Sequence, residues 1–196
     1  MIYDISQPLF ECDLFPGDKR PVRQIRETIK SGNVCNITGI EMSVHNGTHV
    51  DAPYHFYDEG KTIDEIDLNK FVGICYVLEY NGDIGKDDAK KFIETAKNNN
   101  PGSERKILVK GDATVTLEAA EVFAEAKLDL YGNESQTVGP LSGPAAVHRV
   151  MLQKEIVLLE GIRLSEVKED AYMLNCAPLN LSDSDGSPCR ALLFDL

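Results

Sequence analysis

Short apolar runs alternate with two helical segments between residues 74 and 131, and this alternation constrains the fold more than any other feature of the sequence. The runs Ile74–Leu78, Ile107–Val109 and Leu128–Tyr131 have the composition of buried strands. The segments Lys86–Lys97 and Thr116–Ala126 lie between them and are predicted to be helices. Consecutive units of this kind place their strands in a parallel or mixed sheet with the helices packed against it.

An antiparallel element is predicted nearer the N-terminus. Val22–Ile29 and Ile37–Val44 alternate in character and are separated by Ser31-Gly32-Asn33, which is typical of a hairpin. The whole chain of 196 residues has the size of one domain, and we interpret Asn98–Ser103 as a surface loop. The prediction is a single α/β domain over residues 1–196, with a mixed central sheet, flanking helices and an antiparallel β layer packed on them, similar to a swivelling β/β/α architecture.

The composition excludes several classes of function. With 42% hydrophobic and 27% charged residues the chain is typical of a globular protein, and no window approaches the roughly 18 apolar residues of a membrane span. A net charge of -12 repels phosphate backbones and anionic lipids, so we expect neither nucleic acid nor a membrane as a partner. Five scattered cysteines without a C-x-x-C pair indicate neither a disulfide framework nor a zinc ribbon. Met1–Ser6 has an acid where a secretory signal needs basic residues, so a cytoplasmic location is expected.

One segment of eleven residues concentrates groups that bind metals or transfer protons. These groups are His45, His49, Asp51 and His55. All have odd numbers and would share one face of an extended chain, but about 6.6 Å would separate successive same-face residues, so the backbone must bend for several to reach one ion. Asn46-Gly47 and Ala52-Pro53 are the expected bends.

Imidazoles and a carboxylate suit zinc and also accommodate manganese or iron(II), and the sequence does not select among them. These histidines could alternatively be surface groups, but three of the chain's four histidines lie in this segment. The segment is therefore predicted to be a metal site.

Two candidate ligands lie about a hundred residues further along the chain. His148 is a lone histidine, which could be a ligand or could cap a helix or pack in the core. Glu160 ends the apolar run Glu155–Gly161, which predicts a buried strand. A buried carboxylate costs several kcal/mol unless it is paired or bound to a metal, so Glu160 is either a ligand or the partner of a cation such as Arg163.

The segment His45–His55 resembles the signature H-x-G-T-H-x-D-x-P-x-H of the metal-dependent cyclase family, which includes bacterial kynurenine formamidases and isatin hydrolases. Every specified position matches. The resemblance extends over nearly the whole chain, because further segments that are similar to the family are distributed from residue 3 to residue 190. They are Tyr3–Ser6, Phe15–Asp18, Leu68–Gly73, Pro178–Leu179 and Asp185–Arg190.

The resemblance implies a role for each candidate residue. It makes His45, His49 and Asp51 ligands of a first ion, and Asp51 would bridge to a second ion held by His148 and Glu160. The ions would be two Zn²⁺, with Mn²⁺ as an alternative. His55 corresponds to the family's proton-transferring histidine, and Phe15 to an aromatic substrate contact that is commonly Trp. Relatives often form dimers, so a homodimer or higher homo-oligomer is implied as well.

These roles predict an enzyme that hydrolyses a C–N amide bond of a small N-formyl, N-acyl or cyclic amide through a metal-activated water, as an arylformamidase does. Two alternatives stay open: a single-metal cyclase, dehydratase or isomerase, and a metal-binding homologue without catalysis.

The chain contains no Trp, and Lys110–Asp112 and Gly132–Glu134 replace stretches that many relatives share, so the substrate is not fixed by the resemblance. Asp183–Gly186 faintly resembles a calcium loop but lacks its later Glu, and we interpret it as a turn.

Overall fold

The computed structural model describes residues 1–196, which form thirteen strands and three helices. The strands are β1 (Ile2–Asp4), β2 (Val22–Glu27), β3 (Ile37–Glu41), β4 (His49–Asp51), β5 (Val72–Glu79), β6 (Gly82–Ile84), β7 (Lys106–Lys110), β8 (Ala113–Val115), β9 (Leu130–Asn133), β10 (Val157–Glu160), β11 (Asp170–Asn175), β12 (Gly186–Pro188) and β13 (Leu192–Asp195). The helices are α1 (Lys86–Asn99), α2 (Leu117–Ala126) and α3 (Ala145–Leu152).

Nine strands form one mixed sheet in the order β1-β13-β11-β5-β7-β9-β10-β4-β12. The central strands β5, β7, β9 and β10 are parallel to one another, and the strands on both sides of them pair antiparallel. The predicted alternation of strands and helices is confirmed, because it corresponds to β5-α1-β7-α2-β9. β6 and β8 form a small parallel pair of their own.

The central strands are buried on both faces. On β7, Ile107 and Val109 pack among the side chains of the helices, whereas Leu108 belongs to the core on the opposite face with Phe71 and Leu193. Side chains alternate across a strand, so burial of both faces requires a continuous apolar run. For this reason the parallel strands appear in the sequence as unbroken apolar runs.

Helices α1 and α2 confirm the two helix predictions. Thr116, the predicted first residue of the second helix, is its N-cap, and its side chain accepts a hydrogen bond from the Ala119 N–H at 3.3 Å. Helix α3 was not predicted. It has eight residues, fewer than the window over which helical periodicity becomes visible, and it is fixed by packing of Val147 and Met151 into the core.

The predicted antiparallel hairpin is present as a separate two-stranded sheet, which we call the β2–β3 ribbon (residues 22–41). Most of its side chains are exposed and do not pack on the α/β part of the same chain. Its exposed apolar side chains are Val22, Ile25, Ile29, Val34, Ile37 and Ile40. The predicted fold class, a single mixed α/β unit with an antiparallel element, is otherwise confirmed. None of the helices has the length and apolar character that crossing a bilayer requires.

Candidate metal centre

Strand β4 supplies the centre of the site. His49 and Asp51 are two residues apart, so their side chains share one face of the strand. β4 pairs antiparallel with β10 in a register that sets Glu160 directly opposite His49. Directly opposed residues project to the same face, and His49 Nε2 accordingly lies 3.3 Å from Glu160 Oε2 and 3.5 Å from Asp51 Oδ1.

His45 reaches the same site because the chain bends before β4. Gly47 has φ +68°, a left-handed conformation that side chains disfavour, and a Cβ there would lie 3.2 Å from the Cβ of Cys12. The bend brings His45 Nδ1 to 2.8 Å from Asp51 Oδ1. After β4, Pro53 opens one turn of 3-10 helix that ends at His55. Both bends expected from the sequence are therefore present.

Helix α3 brings in the remaining imidazole. His148 Nε2 lies 3.0 Å from Glu160 Oε1 and 3.6 Å from Asp51 Oδ2. The structure thus assembles the motif segment with His148 and Glu160, two residues that the sequence by itself left between functional and structural interpretations.

Three imidazoles are anchored in the same manner, with one ring nitrogen bonded away from the centre. The contacts are His49 Nδ1 to the Gly47 carbonyl at 3.0 Å, His148 Nδ1 to the Pro144 carbonyl at 3.0 Å, and His45 Nε2 to the Asp185 carboxylate at 2.7 Å. The other nitrogen of each ring faces Asp51 or Glu160. Histidine ligands of metals typically have this arrangement, in which the outer hydrogen bond fixes the ring and leaves the inner nitrogen free to coordinate.

Two carboxylates are buried together at the centre of the site. Asp51 is 1% exposed and Glu160 is 3% exposed. Burial by itself raises the pKa of both carboxyl groups, but the surrounding histidines outweigh it and hold both pKa values below their usual range. Burial also lowers the pKa of His45 and His148, yet the bonded carboxylates raise these values to about 10 and about 9. Surroundings that favour positive charge so strongly also fit divalent cations.

The potential ligand atoms fall into two groups. His49, Asp51 and Glu160 form one, and His45, Asp51 and His55 form the other, with all atoms of a group within 4.8 Å of one another. Asp51 belongs to both, which fits a carboxylate that bridges two ions. The second group also makes His55 a possible ligand, so its predicted role in proton transfer stays a prediction.

Arg163 does not pair with Glu160, so that salt bridge is absent, and the basic groups beside Glu160 are His49 and His148. The guanidinium turns away from the site, bonds the carboxylate of Asp13 and donates to the carbonyl of Glu134 at 3.1 Å. The backbone N–H of Val138 donates to Glu160 Oε1 at 2.9 Å, and the other contacts of this carboxylate are with histidines.

A pocket of about 240 Å³ opens onto the six candidate residues. The rest of its wall consists of Phe15, Asp18, Ser43, Phe56, Gln136, Thr137 and Pro144. Phe15 thus lines the pocket, and its role as a substrate contact stays a prediction. The Thr137 hydroxyl is buried in this wall and has no hydrogen-bond partner within the protein.

Sequence reasoning gave no role to Phe56, Thr137 or Asp185. Phe56 immediately follows the motif, and that adjacency was a usable signal. Thr137 lies in a loop with no distinguishing pattern. Asp185 lies in the segment interpreted as a turn, and its carboxylate contacts both His45 and His55.

Similarity to known proteins extends over the full chain. Residues 3–140 match the family described as "Putative cyclase". A kynurenine formamidase of Bacillus cytotoxicus is 32% identical over 98% of this chain and 97% of its own length. A solved structure described as a potential metal-dependent hydrolase with cyclase activity covers 100% of this chain at 28% identity, with a TM-score of 0.83. Isatin hydrolase A of Labrenzia aggregata has a similar fold, with a TM-score of 0.81 at 20% identity over 98% of this chain and 93% of its own.

Proposed function

Because the chain belongs to the cyclase family, we propose that it is a metal-dependent hydrolase that cleaves the C–N bond of a small N-formyl, N-acyl or cyclic amide. Membership confirms the family resemblance predicted from the sequence, together with its expectation of a metal-dependent enzyme that hydrolyses small amides. The observation that carries the proposal is the position of Asp51, a buried carboxylate shared by two groups of potential ligands.

We propose two divalent ions, zinc or manganese, as the resident metals. The family resemblance assigns His45, His49 and Asp51 to the first, and Asp51, His148 and Glu160 to the second. Distances between ligand atoms alone group the residues differently and share only the central position of Asp51 with this assignment. A nitrogen and oxygen donor set of this kind suits both elements. Such a pair of ions supplies a Lewis acid for the substrate carbonyl and lowers the pKa of water towards neutrality.

His55 is the proposed proton-transferring group. It lies at the pocket, its Nδ1 is bonded to Asp185 at 3.2 Å, and its side chain is 29% exposed, so its other nitrogen can face a substrate. As water oxygen bonds to the carbonyl carbon, its proton passes to this nitrogen. When the C–N bond breaks, His55 returns the proton to the leaving nitrogen, since an imidazole nitrogen can both accept and donate a proton.

The pocket wall supports a small substrate with a flat or apolar part. Its volume of about 240 Å³ is below the range of roughly 300 to 1,000 Å³ typical of drug-sized ligands. Phe15 and Phe56 offer aromatic contacts, and the unpartnered Thr137 hydroxyl offers a hydrogen bond. Phe15 is proposed as a substrate contact in place of the Trp that relatives commonly have.

The assay that tests this function uses zinc-loaded and manganese-loaded protein against a panel of formanilides, N-acetyl anilides and lactams. We expect hydrolysis of at least one member, and its loss on chelation with recovery on adding metal. Glu160→Ala separates the dinuclear hydrolase from a single-metal enzyme, because it removes a ligand of the proposed second ion only. Absence of turnover across the whole panel would favour the alternative of a metal-binding homologue without catalysis.

We propose in addition that the chain is a homodimer and that the β2–β3 ribbon forms its interface. Isolated two-stranded sheets are marginally stable in water, and this one exposes apolar side chains such as Ile25 (68% exposed) and Ile40 (55%). The ribbon contains three basic and two acidic residues, whereas the chain as a whole carries a charge of -12. A second copy therefore offers an acidic surface to an apolar ribbon that carries a small positive charge. The cytoplasmic location stays a prediction.

A further inference from the structure

We propose that Asp185 is a positioning residue that fixes the orientation of the proton-transferring His55 and the metal ligand His45 at the same time. One of its oxygens, Oδ2, lies 2.7 Å from His45 Nε2 and 3.2 Å from His55 Nδ1. The two rings lie side by side, with centroids 4.1 Å apart and planes inclined by 34°. This inference rests on the proposed function, because it assigns Asp185 to the same site.

The fold holds Asp185 firmly against the motif. It immediately precedes β12, which pairs with β4 in a register that sets Gly186 opposite Asp51. The Asp185 carbonyl accepts a hydrogen bond from the Ala52 N–H at 3.0 Å. A Cβ at Gly186 would lie 2.8 Å from the Val50 carbonyl oxygen and 2.9 Å from His45 Cε1, so only glycine lets the strand approach this closely.

The two contacts determine which nitrogen of each ring is available. A carboxylate only accepts hydrogen bonds, so both rings direct an N–H towards Asp185. His55 then keeps its proton on Nδ1 and presents Nε2 to the pocket as the atom that accepts a proton from water. His45 keeps its proton on Nε2 and presents Nδ1 towards Asp51, 2.8 Å away. The arrangement has the logic of a serine-protease triad, in which an aspartate orients a histidine without touching the substrate.

Asp185→Asn tests the proposal because asparagine has the same shape but no negative charge. The one position that both rings contact then becomes an amide oxygen, which is a weaker acceptor, or an N–H₂ group, which accepts no hydrogen bond from either ring. The matched control is Asp183→Asn in the same segment: Asp183 has φ +57°, a conformation that asparagine tolerates, and the structure gives its side chain no partner in the site. At saturating zinc we expect Asp185→Asn to keep its metal and its KM to within about threefold, while kcat falls about 100-fold, the upper end of the effects of removing such outer hydrogen bonds. Asp183→Asn should leave all three quantities unchanged.

The tautomer of His55 provides a readout that does not depend on activity. With only four histidines in the chain, ¹⁵N-histidine spectra of zinc-loaded protein are readily assigned through His55→Ala. The wild type should show His55 protonated on Nδ1, and Asp185→Asn should shift it towards the Nε2–H form. A wild-type His55 protonated on Nε2, or an Asp185→Asn variant with wild-type kcat and spectra, would overturn the proposal. A wild type that hydrolyses no amide but has the expected tautomer would instead count against the proposed function alone.

Discussion

The metal centre and the β2–β3 ribbon depart from the usual distribution of side chains in opposite directions. At the centre, charged and polar side chains are buried: His49, Asp51, His148 and Glu160 are each at most 3% exposed. On the ribbon, apolar side chains face water, and Val34 is 99% exposed. Burial of charge and exposure of apolar surface are both unfavourable for an isolated chain.

The two regions therefore require different partners. Buried carboxylates surrounded by anchored imidazoles fit divalent cations, and an exposed apolar ribbon in an acidic chain fits a second copy of that chain. If this comparison is correct, substitutions in one region should change metal binding and catalysis, and substitutions in the other should change the oligomeric state.

Asp51→Asn should have the largest effect. It removes the negative charge shared by both groups of potential ligands and keeps the shape of the side chain. We expect loss of most bound zinc and a fall in kcat/KM of at least about 1,000-fold, because the variant loses the electrostatic stabilisation that the ions supply. Metal analysis and kinetics on the most active amide check this. A variant that retained both metals would show that Asp51 is not the bridge.

His55→Ala should separate proton transfer from metal binding. We expect kcat to fall by about 100-fold or more, the range for loss of a general acid–base group, with zinc content unchanged. Tyr54→Phe, a substitution in the same short turn, should leave both quantities unchanged. If His55→Ala lost zinc in proportion to activity, His55 would be a ligand, as its grouping with His45 and Asp51 allows.

Substitutions in the β2–β3 ribbon should change the oligomeric state and leave the metal content unchanged. Ile25→Asp combined with Ile40→Asp places negative charge on two exposed positions that would face the acidic surface of the second copy, and we expect conversion from dimer to monomer in sedimentation velocity, with zinc content preserved. Leu141→Asp is the control, since Leu141 is similarly exposed (59%) but lies outside the ribbon. A wild type that already sediments as a monomer at micromolar concentration would contradict the proposal that the ribbon forms a dimer interface.

The buried charge of the centre should also make the stability of the metal-free protein depend on pH. The pKa of His45 is raised from the ordinary value of 6.5 to about 10, and that of His148 to about 9. A raised pKa stabilises the folded state fully below about pH 6.5, and this contribution is lost as the pH rises through 9 to 10. Protein kept in chelator should lose at least about 5 °C in Tm between pH 7 and pH 10 through this effect.

Zinc-loaded protein should show a smaller decrease over the same range, because bound cations replace the protons on the imidazoles. Thermal melts of both forms in matched buffers make the comparison. Parallel curves for the two forms would mean that the histidines and the metals do not share these positions.

Phe15→Leu should have the smallest effect. Loss of an aromatic contact with a flat substrate is worth about 0.5 to 1.5 kcal/mol, so we expect KM to rise about two- to tenfold with kcat and zinc content preserved. Leu14→Ala, a change at the neighbouring position outside the pocket wall, is the control. An unchanged KM in Phe15→Leu would remove Phe15 from the substrate-binding residues.

The parts of the fold that could be predicted from the sequence are those whose pattern lies within a few consecutive residues. The run Ile107–Val109, buried on both faces, and the helix capped by Thr116 carry their structure in a few consecutive residues. The bends at Gly47 and Pro53 could be predicted from the sequence for the same reason. Helix α3 was missed because it is short and depends on packing.

The site required information that no local pattern contains. Glu160 meets His49 because β4, which lies far earlier in the chain, pairs with β10 in one particular register. Without the family resemblance, nothing in the sequence distinguished that outcome from a salt bridge with Arg163. Asp185 contacts His45 across 140 positions. Its segment was interpreted as a turn and is similar to the family, but neither observation gave Asp185 a role.

The metal content of the purified wild-type chain shows whether the site holds two divalent ions. Elemental analysis of protein purified without chelators and then dialysed against metal-free buffer should find about two equivalents of zinc or manganese per chain, as a site for two ions requires. Glu160→Ala, measured in parallel, should retain about one. Less than about half an equivalent in the wild type would contradict the account, since a metal-dependent hydrolase must retain its metal to activate water.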